Sequence, residues 1–260
     1  MNPYHTPETA PALASAAAGG TGPSPQTRRS FLQRLTVGAT VAGTGVALTS
    51  LAGMASAGGR GRDSARDREI ERIVGLERLK DQLRRAQVAF NDIRRHENAH
   101  VPALVALLGV NARPKPTFQN LAQPNVVAFV ATSQALENTG VGAYLGAAPA
   151  IDNPAYLAAA GSIALIEARH ASFLNSLRDV RITTNLFGTE QNFETPFTIA
   201  QVVASAGPMI RSLNGGPPLT FDPDPANRSP ANDIAILNFA LALEFLEAEF
   251  YNINVPKFFG

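Results

Sequence analysis

The sequence predicts an all-α protein built as a four-helix bundle. Three observations lead to this fold class. A long segment almost free of glycine and proline carries apolar residues at helical spacing, further helical segments follow it, and strand signals are sparse throughout. One very short turn joins two of the helical segments, which predicts antiparallel helices in contact with each other, as in helical bundles.

The first helix is predicted from about Asp67 to Leu108. Its only glycine is Gly75 and its only proline is Pro102, and its early turns are highly charged. Gly109 and three prolines between residues 114 and 124 end it, because neither residue type favours a continued helix. The apolar positions at helical spacing are Ile70, Ile73, Val74, Leu79, Leu83, Val88 and Ile93.

The second helix is predicted from about Val126 to Leu145, and the third from about Ala155 to Leu177. Only the turn from Gly146 to Pro154 separates them. These two helices are therefore expected to pack side by side in opposite directions.

A long connection precedes the last helix. Residues 178–231 contain many Pro, Gly and Asn residues and are predicted to be irregular, with a helix from Thr198 to Leu213 interrupted midway by a Gly-Pro pair. Asn232 or Asp233 is expected to cap the last helix, which should run to about Tyr251.

Composition limits the classes of function. The chain has 260 residues, a formal net charge of +1 and 45% hydrophobic residues, enough for one substantial core. Its near-neutral charge gives no reason to expect nucleic acid or an acidic membrane surface as a partner. Because the sequence contains no cysteine, disulfides and thiolate metal sites are excluded, and any metal must be bound by Glu, Asp and His.

The N-terminal residues resemble a leader for export. Residues 27–35 read TRRSFLQRL, a weakly apolar stretch follows, and Ala55-Ser56-Ala57 offers a small-residue cleavage site. The pattern resembles a twin-arginine signal. A membrane anchor is the alternative, but the glycines and threonines of the stretch make a poor permanent span, so cleavage and a periplasmic or extracellular location are expected. Residues 1–57 are predicted to be a disordered leader and signal peptide, and residues 58–260 one helical domain.

Two Glu-x-x-His motifs lie on predicted helices. Glu97 precedes His100, and Glu167 precedes His170, each by three positions. Residues three apart share a helix face, so each pair can offer a carboxylate oxygen and an imidazole nitrogen to one ion. His96 lies beside the first motif and is expected either to support a ligand from behind or to face solvent.

Two further glutamates each precede a tyrosine by seven positions. Glu137 precedes Tyr144 and Glu244 precedes Tyr251, so each pair lies along one helical stripe. Glu137 is the only charged residue between positions 115 and 152, and a carboxylate in so apolar a helix needs a proton, water or a cation. Glu247 is an alternative to Glu244, but the spacing to Tyr251 favours Glu244.

Four helices thus carry two glutamates and two Glu-x-x-His pairs, the ligand pattern of carboxylate-bridged di-iron and di-manganese bundles. The chain here resembles the ferritin-like superfamily, and more closely a branch that includes plant desiccation-related proteins and exported bacterial relatives. The resembling segments are residues 96–101, 136–149, 166–170 and 236–251. The resemblance assigns as metal ligands Glu97, His100, Glu137, Glu167, His170 and Glu244.

The order of the helices departs from that family. Ferritin-like domains usually begin with the helix that comes last here, so the resemblance implies a circularly permuted bundle. The long connection lets the last helix dock within its own chain. It equally permits docking into a neighbouring subunit, which would complete the sites across a homodimer or larger homo-oligomer.

These ligands predict two iron or manganese ions and redox chemistry of oxygen, peroxide or Fe(II). Glu137 and Glu244 would be bridging or terminal ligands, and each Glu-x-x-His pair would anchor an ion. Tyr144 and Tyr251 are candidate catalytic residues that could bond to ligands or quench radicals, and they fit equally well as ordinary core tyrosines. Ferroxidase, peroxidase and catalase-like activities share these ligands. The alternative is a non-enzymatic envelope stress or desiccation-related protein, which the plant relatives suggest.

Overall fold

The computed structural model describes residues 65–260, and the predicted leader of residues 1–57 lies outside this range. The described chain is mostly helical, which confirms the predicted fold class. The helices are α1 (Ala65–Leu108), α2 (Val126–Ala147), α3 (Pro154–Leu177), α4 (Ile199–Ala206) and α5 (Pro230–Phe259). Within residues 65–260, no helix is both long and apolar enough to cross a membrane.

Helices α2 and α3 form the predicted antiparallel hairpin. Asn153 caps α3 by accepting a hydrogen bond from the Ala155 N–H, and Pro154 occupies the first turn, where its missing N–H costs nothing. Near the other end of the hairpin, Gln134 of α2 donates a hydrogen bond to Asn175 of α3. This second hydrogen bond joins the two helices and helps to fix their register.

Helix α5 packs against α1 in the opposite direction, within the same chain. Gln87, in the middle of α1, donates a hydrogen bond to the carbonyl of Phe259 at the end of α5, and Arg94 donates one to Asn252. At the far end of α1, the N–H of Arg113 donates to the side chain of Asn238, near the start of α5. The last helix therefore completes a bundle of four long helices.

Helix α5 begins earlier and ends later than predicted. Ser229 is the cap, and its side chain accepts a hydrogen bond from the Asn232 N–H. Asp233 instead accepts hydrogen bonds from the N–H groups of Asp152 and Asn153, which ties α5 to the α2–α3 turn. The helix continues past Tyr251 because Phe258 and Phe259 stack on the aromatic rings of the core.

The predicted interrupted helix from Thr198 to Leu213 is right only for its first part. Thr198 and Gln201 form a capping box that starts α4, but α4 ends at Ala206. After a 3₁₀ turn, the chain becomes strand β2 (Ile210–Ser212), which pairs antiparallel with β1 (Thr117–Phe118). The physical reason is Pro208, which cannot continue the helix.

The long connection packs tightly on the outer face of α2. The N–H of Phe197 donates to the carbonyl of Gly142 at 2.8 Å. A β-carbon at Gly142 would lie 2.4 Å from the Phe197 ring, and one at Gly146 would lie 2.1 Å from the Phe197 carbonyl oxygen. Both positions therefore require glycine for this close approach.

The core has two apolar layers, one on each side of the bundle's centre. One layer is rich in aromatic residues, including Phe90, Phe129 and Phe250. The other is mainly aliphatic and includes Leu104 and Leu241. All the predicted ligands are buried and lie between the two layers.

The first turns of α1 extend beyond this core. Every residue from position 68 to 78 is exposed, and Ile70, Ile73 and Val74 are among them. The helical spacing of these apolar residues correctly predicts the helix. These residues face no core, because no described element packs against these turns; Val88 is also exposed.

Candidate metal centre

The bundle brings all six predicted ligand residues together. The four carboxylates are completely buried and come one from each long helix: Glu97, Glu137, Glu167 and Glu244. His100 and His170 are 9% and 6% exposed. So many buried ionisable groups are costly unless protons or cations balance their charges.

The six residues form two overlapping groups. Glu97, His100, Glu167 and Glu244 offer ligand atoms that all lie within 4.8 Å of one another. A second set of the same size and spacing consists of Glu97, Glu137, Glu167 and His170. Glu97 and Glu167 belong to both groups, so the glutamates of the two Glu-x-x-His motifs lie between two candidate ion positions. Each position has one further glutamate and one histidine of its own.

Both imidazoles point Nδ1 at the carboxylates. His100 Nδ1 lies 3.0 Å from Glu244 Oε2 and 3.2 Å from Glu97 Oε2. His170 Nδ1 lies 3.0 Å from Glu137 Oε2 and 3.1 Å from Glu97 Oε1. Because one nitrogen approaches several carboxylate oxygens, the atoms converge on a point, as ligands around an ion do.

The two shared carboxyl groups, those of Glu97 and Glu167, have raised pKa values. Burial, followed by the charge of Glu167, raises the pKa of Glu97 to about 7, against the opposing contacts with both histidines. Burial and the charge of Glu137 raise the pKa of Glu167 well above its usual range. The glutamates repel each other's charges at this distance, and a bound cation would remove that repulsion.

The pKa values of His100 and His170 are also raised, in their case by the negatively charged carboxylates around them. Burial lowers the pKa of His170, but the charge of Glu137 and hydrogen bonds to Glu137 and Glu97 outweigh burial and raise the pKa to about 11. The pKa of His100 is also raised, because hydrogen bonds to Glu167, Glu244 and Glu97 outweigh burial. In this state, protons on the imidazoles supply the positive charge that metal ions would otherwise supply.

The residues fit a pair of metal ions. Glu97 Oε1 and both carboxylate oxygens of Glu167 are buried and accept no well-aligned hydrogen bond. Two of them have only an imidazole nitrogen nearby: His170 Nδ1 lies 3.1 Å from Glu97 Oε1, and His100 Nδ1 lies 3.3 Å from Glu167 Oε1. An unpaired buried oxygen of this kind is costly, and these three belong to the two residues shared by both groups. Carboxylate oxygens and imidazole nitrogens are ligands that suit iron and manganese. The unpaired atoms are therefore where bridging ligands would be needed.

Each tyrosine bonds to the glutamate of the other helix. Tyr144 donates to Glu244 at 2.5 Å, and Tyr251 donates to Glu137 at 2.5 Å. Both phenols are buried, and burial followed by the nearby glutamate charge raises their pKa values well above the usual range. The tyrosines therefore keep their protons and donate hydrogen bonds to Glu244 and Glu137, the two glutamates that each belong to only one ligand group. The predicted stripe along each helix is correct, but the hydrogen bonds run between α2 and α5.

Glu244, and not Glu247, joins the cluster. Glu247 is only 3% exposed, yet it belongs to neither group of ligand atoms. Burial, then the charge of Glu167 and of the other ligand carboxylates, raises the pKa of Glu247 well above its usual range. Glu247 is thus a buried neighbour of the centre that is expected to stay protonated.

His96 lies behind one of the candidate ligands. Its Nδ1 is 2.9 Å from Nε2 of His170, and the two rings are nearly parallel, with centroids 5.2 Å apart. Its other nitrogen lies 3.3 Å from the guanidinium of Arg95. Burial, then the nearby charges of His170 and Arg95, lowers the pKa of His96. His96 thus contacts a candidate ligand histidine through the ring nitrogen that faces away from the carboxylates, as the supporting role requires.

Sequence reasoning missed Gly140. A β-carbon at this position would lie 3.0 Å from Glu167 Oε2, so the absence of a side chain leaves room for a shared carboxylate. The available signal was a glycine inside a helix, where it costs about 1 kcal/mol relative to alanine and so indicates a packing requirement. The sharing of Glu97 and Glu167 was also missed, since it depends on how the helices face one another.

Comparison with known proteins agrees with this geometry. Residues 66–179 match the family model of the ferritin-like domain, and this match supports the ferritin-like superfamily. The matched range covers α1, α2 and α3 with five of the six candidate ligands, and α5 with Glu244 follows it. No curated protein and no solved structure matches the chain.

Proposed function

We propose that this chain is a ferritin-like protein with a centre for two iron or manganese ions, acting on oxygen, peroxide or Fe(II) in oxidative-stress defence or metal handling. One observation carries the proposal. Glu97 and Glu167 are shared by two buried ligand groups, and three of their oxygens accept no well-aligned hydrogen bond. Neighbouring carboxylates without partners are what two bridged cations would stabilise.

The residues divide into shared and individual ligands. Glu97 and Glu167 would bridge the two ions, whereas Glu244 with His100 and Glu137 with His170 would each complete one position. Glu137 and Glu244 are therefore proposed as terminal ligands, and each Glu-x-x-His glutamate as a bridging one. When bound, such a pair of ions would supply one-electron redox chemistry toward oxygen, peroxide or Fe(II).

Burial limits what can reach the centre. All four ligand carboxylates are completely buried between two apolar layers, so only small molecules or ions can reach them without large movements of the helices. Tyr144 and Tyr251 donate hydrogen bonds to the proposed terminal ligands Glu244 and Glu137. Their phenol rings can be oxidised. This supports a role for the tyrosines in orienting ligands and in intercepting radicals.

The choice among reactions follows from composition. The sequence contains no cysteine, so it has no attached thiolate iron centre that could pass electrons to the proposed ions. Iron oxidation and peroxide dismutation need no such donor. We therefore favour these two reactions over reductive peroxidase turnover.

The remaining parts of the proposal concern export and helix order. The leader of residues 1–57 supports export by the twin-arginine route, a route that suits a protein folded with its metal before transport. The chain order of the helices, with Glu244 on the last of them, supports a circular permutation. The plant desiccation-related branch remains the relationship suggested by the motif segments.

Metal analysis of the purified protein tests the proposal. After expression with added iron or manganese, we expect about two ions per chain, and a large loss of metal in Glu137→Ala because a terminal ligand is gone. Glu249→Ala is the matched control, since Glu249 lies on α5 but pairs with Lys115 at the surface. Assays of Fe(II) oxidation and peroxide decay would then separate the reactions.

A protein that contains no iron or manganese under these conditions would contradict the proposal. Equal metal content in Glu137→Ala and Glu249→Ala would contradict it as well, because the metal would then be bound elsewhere. The absence of metal would favour the non-enzymatic envelope role.

A further inference from the structure

One histidine outside the ligand set distinguishes the two candidate ion positions. His96 Nδ1 lies 2.9 Å from His170 Nε2, the ring nitrogen that faces away from the carboxylates. We propose that His96 is a positioning residue: it holds His170 in the ring orientation and tautomer that binds metal, and so makes the Glu137/His170 position the tighter of the two. This inference rests on the proposed metal function.

The chemistry of a metal-bound imidazole requires a partner of this kind. When Nδ1 of a neutral histidine binds a metal ion, its proton must be on Nε2, and that N–H needs an acceptor. In this chain, His170 Nδ1 faces Glu137 and Glu97, and Nε2 faces His96. The Nδ1 lone pair of His96 is therefore placed to accept the His170 proton.

The orientation of the two rings strengthens this argument. The rings of His96 and His170 lie within 5° of parallel with centroids 5.2 Å apart, so the 2.9 Å contact between their nitrogens lies close to the plane of both rings and restrains the rotation of the His170 ring. In this structure the Arg95 guanidinium, which can only donate, lies 3.3 Å from His96 Nε2. When His170 binds metal through Nδ1, His96 would carry its proton on Nε2, and Arg95, which also pairs with Asp92, would turn away from the ring.

The other candidate ligand histidine has no such support. His100 Nδ1 makes the same kinds of contact with carboxylates as His170 Nδ1 does. In the described part of the chain, however, no hydrogen bond to His100 Nε2 is found. The two positions thus have the same kinds of direct ligand, but only His170 has a hydrogen-bond partner on its second ring nitrogen. This difference predicts unequal metal affinities.

The experiment is a metal titration of His96 variants, read by calorimetry and by the absorption of Co(II) as a probe ion. We expect the wild-type protein to bind two ions in two resolved steps. His96→Ala should weaken one step by about 10- to 100-fold, the usual effect of losing such a partner, and leave the other step within about threefold. His96→Asn should restore part of the loss, because its side-chain oxygen can accept the same hydrogen bond.

Controls separate a positioning role from general damage. Asn98→Ala changes a residue on the same helix that bonds to Arg94 and Asn252 and contacts no candidate ligand, so both of its binding steps should match those of wild type. A second readout is the ¹⁵N chemical shift of the His170 ring in the loaded protein. It should report the proton on Nε2 in the wild type and a mixture of states in His96→Ala.

The outcomes distinguish this inference from the proposed function. Unchanged binding in His96→Ala, or an equal weakening of both steps, would overturn the positioning role while leaving the metal centre in place. A wild-type protein that binds no ion would overturn the proposed function itself. Selective weakening of one step, partly restored by His96→Asn, would support the inference.

Discussion

At the residue scale, the candidate centre places four buried carboxyl groups and two imidazoles close together, so that each group's charge affects the pKa values of the others. Glu97 and Glu167 have raised pKa values because they are buried near other carboxyls, and His170 has a raised pKa because it lies among those carboxyls. In the absence of metal, the folded protein therefore binds more protons than the unfolded chain over a wide pH range. Protons and metal ions compete for the same atoms.

This competition predicts how the stability of the metal-free protein depends on pH. Folding raises the pKa of Glu97 from 4.5 to about 7. Protonated Glu97 therefore stabilises the folded protein at low pH, and this stabilisation is lost as pH rises through that interval. The pKa of His170 rises from 6.5 to about 11, so its stabilising effect is complete below pH 6.5 and is lost as pH rises through 11. Melting temperatures in chelator should fall from pH 5 to pH 9.

The metal-loaded protein should show the opposite trend between pH 5 and pH 7, because deprotonated ligands bind metal more tightly. Glu97→Gln is a control, since its metal-free form should lose less stability over that range. A metal-free protein that becomes more stable as pH rises from 5 to 9 would contradict the raised pKa values of Glu97 and His170.

Gly140 offers a prediction in which stability and metal binding change in opposite directions. Alanine here should stabilise the metal-free helix by up to about 1 kcal/mol, yet its β-carbon would press on Glu167 Oε2 from 3.0 Å. Metal affinity should therefore fall, as measured by titration beside a thermal melt. Gly161→Ala is the matched control, because a β-carbon at that exposed helical position meets nothing within 4 Å.

If Gly140→Ala and Gly161→Ala bind metal equally well, the space beside Glu167 has no role in ligand placement. The sequence offered only a weak signal for this residue. A glycine within a predicted helix indicates close packing, but which atom it accommodates depends on the neighbouring helix.

At the element scale, the two tyrosine–glutamate bonds connect α2 and α5, which pack on different partners. Tyr144→Phe and Tyr251→Phe each remove a buried donor to a carboxylate, and each should lower the free energy of unfolding by about 1–3 kcal/mol. Tyr156→Phe is the control, since Tyr156 is half-buried and its hydrogen bond to Leu107 is long at 3.5 Å. Urea denaturation of the three variants measures these differences.

A result in which the buried tyrosine variants are no less stable than Tyr156→Phe would show that these bonds do not hold the helices together. These hydrogen bonds between α2 and α5 also show what spacing along a single helix cannot predict. Spacing of seven predicts that Glu137 and Tyr144 share a stripe, but only the packing of α2 near α5 decides which glutamate the phenol reaches.

The bounds of the elements show the same limit. The predicted ends of α1, α2 and α3 agree with the structure to within a few residues, because prolines and glycines mark them in the sequence. The ends of α5 were predicted less well. Its cap lies at Ser229, while Asp233 binds the α2–α3 turn, and its last turns depend on aromatic contacts with α1 and α2. Contacts between distant segments carry no local signal.

At the scale of the whole molecule, the six candidate ligands lie in one polar layer between two apolar ones. The two apolar layers provide the burial that holds four long helices together, and the polar layer separates them. The sequence predicted the six residues of this cluster because glutamates in apolar helices and paired Glu-x-x-His motifs are rare together. It did not predict the division into shared and terminal ligands, which requires the relative rotation of the helices.

Anomalous diffraction from crystals grown with iron or manganese tests the central claim most directly. The account predicts two peaks per chain, with Glu97 and Glu167 between them, Glu244 and His100 at one peak, and Glu137 and His170 at the other. A single peak, peaks away from these residues, or no peak in metal-supplemented crystals would contradict a two-ion centre that shares its two glutamates.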